Sequence, residues 1–414
     1  MTTHDSAPDP GASASAGPLA GITVLDLSTV GPATRCSRLL ADYGASVIKV
    51  GAPPRAGAVL FELAYHAYSG HRGMRRVQVD LRSPSGLAAF LRLASDVDVV
   101  IESFRPGVVD RLGIGYDAVR AVNPGVVYCS TTGYGQTGPA AQRAGHDVNY
   151  LAVAGFLHTS GRSEPAPETQ SRLGVSGAGS PVLPGATVAD IAAGGMHAAA
   201  AILAALVGRS RTGEGTYLDV SVADGVAWML SLYIDEYLAT GVMPGPGHNI
   251  LTGRYACYGI YGTRDGRWLA VGAIEPTFWA NLCRALRLEQ WIEHQTDDDS
   301  QDAIRADLAA AFATRDRDDW TALLADGDTC VTRVNDIAEM VDDPQFTARG
   351  AVVEAKHPVH GTFRQLGPVL AGSAPREPVY EVPNTLVNDT DAVLRAAGFT
   401  TDEIATLRTE GAVA

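Results

Sequence analysis

Short runs of β-branched and apolar residues alternate with segments of helical periodicity through the first third of the chain, and this alternation limits the fold more than any other feature. GITVLDL (21–27), SVIKV (46–50), DVDVVIES (96–103) and GVVYCSTTGY (125–134) read as buried strands. RCSRLLADYGA (35–45), Pro84–Ser95 and Tyr116–Val122 lie between them and carry apolar residues at helical spacing. Strands that are apolar almost throughout are buried on both faces, which requires a parallel sheet covered by helices on each side. TYLDVSV (216–222) adds a later strand. The expected fold is therefore α/β, with a Rossmann-like large domain. No GxGxxG follows the first strand and no GxxxxGK[ST] occurs, so neither a dinucleotide nor a P-loop phosphate is indicated.

The pattern changes after MPGPGHN (243–249). YACYGIYGTRDGRWLAVGAI (255–274) predicts strands around an Asp-Gly turn, EPTFWANLCRAL opens a helix, and 300–325 is helical. These features give a large domain over 18–242 and a smaller α+β domain over 243–350. A segment over 351–414, ending in the helix DTDAVLRAAGF, is expected to return to the large domain. Residues 1–17 read as a disordered tail, and 163–185 as a long polar loop rich in Gly and Pro. A helix is expected over Asp224–Leu238. The Ala-rich run IAAGGMHAAAAILAALV (191–207) suits a buried helix better than a membrane span.

The net charge of -14, with basic residues scattered, argues against nucleic acid or an anionic membrane as partner. The five cysteines are far apart and form no CxxC, which predicts reduced thiols in a cytoplasmic protein. HPVH (357–360) has no thiol or carboxylate cluster beside it and reads as a surface loop, and no metal site is expected.

Three acid–base candidates stand at element boundaries: His146 in RAGHDVNYLAVAG, Asp190 in TVADIAAGG and Glu275 in AVGAIEPTF. A carboxylate at a helix N-terminus is stabilised by unpaired N–H groups and the dipole. Asp147 reads as the residue capping the helix that follows His146, and Pro276 in the first turn makes Glu275 a helix cap as well. Singly, each carboxylate is explained by capping.

Together, AGHDVNYLA, VADIAAGG and AVGAIEPTF resemble the α-methylacyl-CoA racemases of the family III CoA-transferase (CaiB/BaiF) superfamily. The resemblance runs from PLAGITVLDLS to the C-terminal region. It includes ESFRPGVVDRLGIGYDAV (102–119), TGYGQTGP (132–139), RTGEGTYLDVSVADG (211–225) and DTCVTRV, where Arg333 replaces the usual proline. It also implies that His146 and Asp190 flank the α-carbon of an acyl-CoA thioester and exchange a proton with it through an enolate. Glu275 would then hydrogen-bond His146. N–H groups of Gly145–Asp147 are the expected partners of the enolate oxygen. By the same resemblance, CoA is held by Val79, Asp80, Leu81 and Arg82, by Ser103, Phe104, Arg105 and Arg111, and by Gly145, Asp147, Asn149 and Tyr150. CoA enters as part of the substrate, and no separate cofactor is expected. An interlocked homodimer is implied, in which Glu275 reaches the other chain's imidazole. The chain departs from the usual pattern at Gly51 and Ala52, where an acidic residue and a CoA-touching arginine are common; Arg55 stands close enough in sequence to compensate. Two other readings stay open: a CoA-transferase that forms an anhydride at Asp190, and a CoA-binding subunit without turnover.

Overall fold

The computed structural model describes residues 17–54, 64–161, 181–368, 371–372, 377, 379–384 and 387–414. Arg55, residues 1–16 of the expected tail and most of the 163–185 loop lie outside them. The described residues divide into two compact units. One draws on Met1–Ala154, Gly185–Ser231 and Pro344–Ala414, the other on Gly155–Pro184 and Leu232–Asp343.

The first unit is built on six parallel strands: β1 (Thr23–Asp26), β2 (Ser46–Gly51), β3 (Met74–Gln78), β4 (Val99–Glu102), β5 (Val127–Thr132) and β6 (Thr216–Ser221). Their order is β3-β2-β1-β4-β5-β6, so the chain reverses direction across the sheet between β1 and β4. A crevice outside the strand C-termini at such a reversal is where α/β sheets bind ligands. Successive side chains on each strand feed two different cores. Leu25, Val100 and Tyr128 point to one with Phe90 and Leu93. Val24, Val99, Ile101, Val127 and Cys129 point to the other with Cys36, Leu40 and Ile202. This division explains why the strands read as continuous apolar runs.

Helix α1 (Pro32–Asp42) starts at Gly31, whose φ of 80° favours glycine, with proline in its first turn. Helix α2 (Pro84–Ala94) is capped by Ser83, whose hydroxyl accepts the Gly86 N–H at 3.0 Å. Helices α3 (Val108–Arg111) and α4 (Tyr116–Val122) lead to β5, and α5 (Asp147–Val153) follows it. The C-terminal segment lies against β3: the Asp389 carboxylate accepts the Arg76 N–H at 2.9 Å, and Thr390 accepts that of Gln78 at 3.1 Å.

Two sequence expectations need correction, and a third, the surface loop at 357–360, holds for all but His357. The Ala-rich run is not one α-helix. It begins as a π-helix, Ala189–Met196, and continues as α6 (His197–Thr212). Only one face is buried, through Ala198, Ala199 and Ile202, while Met196 and Val207 are about half exposed. The stretch Ala189–Thr212 has the length and hydropathy of a membrane span, yet its buried face packs in the core beside α1 and the sheet. The helix expected over 224–238 is two helices, α7 (Val222–Met229) and Ser231–Thr240. The HPVH segment closes the hairpin of β10 (Val352–His357) and β11 (Gly361–Leu366). His357 is buried there, its Nδ1 accepting the N–H groups of Val359 and His360 at 3.1 Å.

In the second unit, β7 (Tyr258–Gly262) and β8 (Trp268–Gly272) form an antiparallel hairpin extended by β9 (Val331–Arg333). Trp279, Phe312 and Trp320 fill its core. Ser231–Thr240 falls with this unit save for its first residue: Tyr233 bonds Thr252 at 2.9 Å and Glu236 pairs with His248 at 2.9 Å. Pro344 onward falls with the first unit, and the compact units part at 231 and 343.

Candidate active site

His146 is the N-cap of α5, in extended conformation (φ −129°, ψ 178°), and its side chain is exposed. Its N–H donates to Asn149 Oδ1 at 3.0 Å and its carbonyl accepts the Asn149 N–H at 2.8 Å. The backbone is thereby fixed at the start of α5. Tyr150 braces the same turn: its hydroxyl donates to the Gly145 carbonyl at 2.6 Å, and its ring sits edge-on to Tyr134 at 5.2 Å. A Cβ at Gly145 would lie 2.7 Å from that ring, so only glycine permits this approach. Burial, followed by the charge of Asp190, pushes the Tyr150 hydroxyl up to about 12.

Asp190 is the second residue of the π-helix and is half-buried. Its N–H donates to Asp147 Oδ1 at 2.9 Å. The expectation that Asp147 caps α5 is therefore corrected. His146 holds the cap position, and the Asp147 carboxylate serves the neighbouring helix. Burial and then the Asp147 charge hold the Asp190 carboxyl above its ordinary value, while Arg35 and His146 pull it back. The π-helix is reached closely by α1 and α7 because two consecutive glycines leave room. A Cβ on Gly194 would collide with Pro32, and one on Gly195 would lie 2.6 Å from the Arg35 Cβ.

Arg35 and Tyr68 escaped sequence reasoning. The Arg35 guanidinium lies 4.7 Å from the centre of the Tyr68 ring, and the Tyr68 hydroxyl accepts the Gly31 N–H at 2.9 Å. Tyr68 begins a run of four residues with positive φ (Tyr68 50°, Ser69 55°, Gly70 62°, His71 53°). Left-handed conformation is unfavourable for non-glycine residues and accumulates at functional sites. GPATR, with Arg35 three residues after Pro32 on one helix face, was the available signal.

The model of CoA-transferase family III matches residues 19–385. The chain belongs to this family. Alpha-methylacyl-CoA racemase of Homo sapiens is 32% identical over 394 residues, covering 95% of this chain and 96% of that protein. Succinyl-CoA–D-citramalate CoA-transferase of Chloroflexus aurantiacus is 31% identical over 361 residues, 84% of this chain and 86% of that protein. The crystal structure of a CaiB/BaiF family protein from Brucella suis superposes with a TM-score of 0.73 at 29% identity, covering 92% of this chain and 99% of that one.

The other expected residues of this family III chain fall in three places. Val79, Asp80, Leu81 and Arg82 follow β3. Val79 is buried and bridged to Val413, the Asp80 N–H donates to the Ala412 carbonyl at 2.8 Å, and Arg82 is exposed. Ser103, Phe104 and Arg105 follow β4. The Phe104 N–H donates to Glu102 Oε2 at 2.7 Å, and Ser103 and Arg105 are exposed. Arg111 ends α3, also exposed. Because β2 and β1 stand between β3 and β4, the first two groups are spread along the sheet edge by about 14 Å, three strand spacings. An extended ligand fits that spread better than a single phosphate. Of the expected N–H donors to an enolate oxygen, that of His146 is engaged by Asn149. The Asp147 N–H, at the first helical position, has no acceptor within its own helix.

Glu275 belongs to the other unit. It is the N-cap of Pro276–Leu286, exposed, and its side chain makes no capping bond. Its carboxylate is left for another partner, contrary to a simple capping role.

Proposed function

We propose that this family III protein inverts the α-carbon of 2-methyl-branched acyl-CoA thioesters by 1,1-proton transfer. One observation carries the reading: an unburied imidazole and a carboxyl of raised proton affinity stand at the starts of two helices joined by one hydrogen bond. Racemisation needs two groups, each able to act as acid and as base near neutrality. An imidazole meets that demand by its ordinary chemistry, and burial brings a carboxyl towards it. A thioester α-proton leaves to one group as the enolate forms, and the other group returns a proton to the opposite face. Glu275 then steadies the His146 imidazolium. We place it across a homodimer, since Trp228, Val153 and Leu238 leave large apolar side chains exposed on the single chain. CoA is the substrate's handle, at the exposed arginines Arg82, Arg105 and Arg111. Five free thiols suit a cytoplasmic setting.

A second reading is favoured by the transferases among the relatives: Asp190 attacks the thioester, forms an anhydride and passes CoA to another carboxylate. One incubation separates the two. A 2-methylacyl-CoA of single configuration is mixed with the protein in deuterated water. Racemisation predicts α-deuterium together with loss of optical purity, and His146→Ala abolishes both with CoA affinity kept. Transfer of CoA to added succinate without deuterium uptake would refute the racemase.

A further inference from the structure

We infer that Asp147 is a positioning residue for Asp190: from the neighbouring helix it anchors the first turn of the π-helix and sets the charge facing the reacting carboxyl. The inference rests on Asp190 being a reacting carboxyl, which both readings above share.

Three observations carry it. First, the N–H groups of a helix's opening turn have no intrahelical acceptor. The Ile191 N–H reaches the Thr187 carbonyl at 3.0 Å, whereas the Asp190 N–H is met by Asp147 Oδ1 at 2.9 Å, 43 residues away in sequence. Second, α5 does not need this carboxylate, because His146 and Asn149 close its start between themselves. An aspartate directly after the catalytic imidazole is thus turned away from its own helix towards the second reacting group. Third, the charges around Asp190 are few. From α5 come His146, Asp147 and Tyr150, and from α1 comes Arg35. The one charged residue of α7, the third packed element, is Asp224, which lies in that helix's own first turn. Of these, Asp147 alone combines a direct bond to the Asp190 backbone with a like charge beside its side chain.

The combination has a chemical consequence. A carboxylate that binds the backbone N–H of Asp190 fixes where the residue stands without neutralising its side chain. Its negative charge keeps the Asp190 proton from leaving too readily, so the group can donate as well as accept. Asp147 itself exchanges no proton with substrate.

The test uses Asp147→Asn and Asp147→Ala in the full chain. The Asp190 carboxyl is titrated by ¹³C NMR in the resting protein, assigned by its loss in Asp190→Asn, and α-deuterium exchange is followed against pH. Asparagine keeps an acceptor oxygen but removes the charge. Its Asp190 titration and the acid limb of its exchange profile are expected to move to lower pH. Alanine removes the anchor as well and is expected to lose about 10²-fold in exchange, the effect of a misplaced reacting group. An Asp147→Asn titration superimposed on that of the parent protein overturns the inference, as does full exchange in Asp147→Ala. Absence of exchange in the parent protein would defeat the racemase reading alone, because the NMR titration needs no turnover.

Discussion

Replacing Glu102 with glutamine should change the pH dependence of stability by an amount that follows from its surroundings. Glu102 ends β4, is 1% exposed and stands in register between Ser130 on β5 and the turn that begins the Arg105 loop. Burial pushes its carboxyl up to about 7, with Asp110 and Asp219 adding to the effect and Ser130 and the Phe104 N–H opposing it. In the unfolded chain the group returns to 4.5. Because the folded value is raised, the folded state binds the proton more tightly. The stability this confers is whole below the unfolded value and is lost as pH climbs through the folded one. At 1.36 kcal/mol per unit the full penalty is about 3 kcal/mol, of which roughly 2–3 develops between pH 5 and pH 8.5. Glutamine does not titrate and retains an oxygen for the Phe104 N–H. Urea titrations at the two pH values, read by pulse hydrogen exchange on the β4 peptide, should therefore show the parent protein losing about 2–3 kcal/mol more than Glu102→Gln. Parallel losses in the two proteins would show that Glu102 is not the buried proton reservoir described.

Two further perturbations follow from the packing. Gly195→Ala places a Cβ 2.6 Å from that of Arg35, and forcing α1 off the π-helix should lower stability by about 1–3 kcal/mol in thermal unfolding while reducing turnover more than CoA affinity. Lys49→Met strands Asp26, which is fully buried and paired with the ammonium at 2.6 Å. The expected loss is about 3–5 kcal/mol, largely recovered in Asp26→Asn/Lys49→Met, since asparagine still accepts from Ser28.

What the sequence disclosed and what it hid follow a physical division. β1, β4 and β5 were legible because a strand covered on both faces must be apolar at almost every position. β3 was not. As an edge strand it pairs on one side only, so MRRVQ tolerates Arg75 and Arg76 and offers just Met74 and Val77 to the core. The break at Leu230 was invisible because both flanking helices keep apolar periodicity, and nothing in their composition demands a turn there. Around the candidate site, the places of His146 and Asp190 at element starts were legible in the sequence. The direction of the Asp147 side chain was not, because capping of its own helix and of a neighbour's leave the same mark in a linear sequence. Tyr68 was hidden for a related reason: a left-handed run containing Tyr, Ser and His has no compositional signature, and only its Gly70 hints at it.

The π-helix brings these strands of argument together. An i→i+5 helix turns through a smaller angle per residue than an α-helix and is found most often where function needs an altered register. Residues 198, 199 and 202 of α6 are committed to the core beside Leu40 and Val127. Had the eight residues before His197 been α-helical, that commitment would have fixed the direction of Asp190 as well. The wider turn uncouples the two, so the Asp190 N–H can meet the Asp147 carboxylate of α5 while the rest of the helix stays on the sheet. The glycines at 194 and 195 serve the same end from outside, since a wider helix leaves less room for α1 and α7. Deleting Ala192 should therefore restore α-helical winding with little loss of fold but turn Asp190 away from Asp147. Exchange activity would vanish while the circular dichroism of the sheet and helices remained, and activity retained in that variant would mean the register of this turn does not matter.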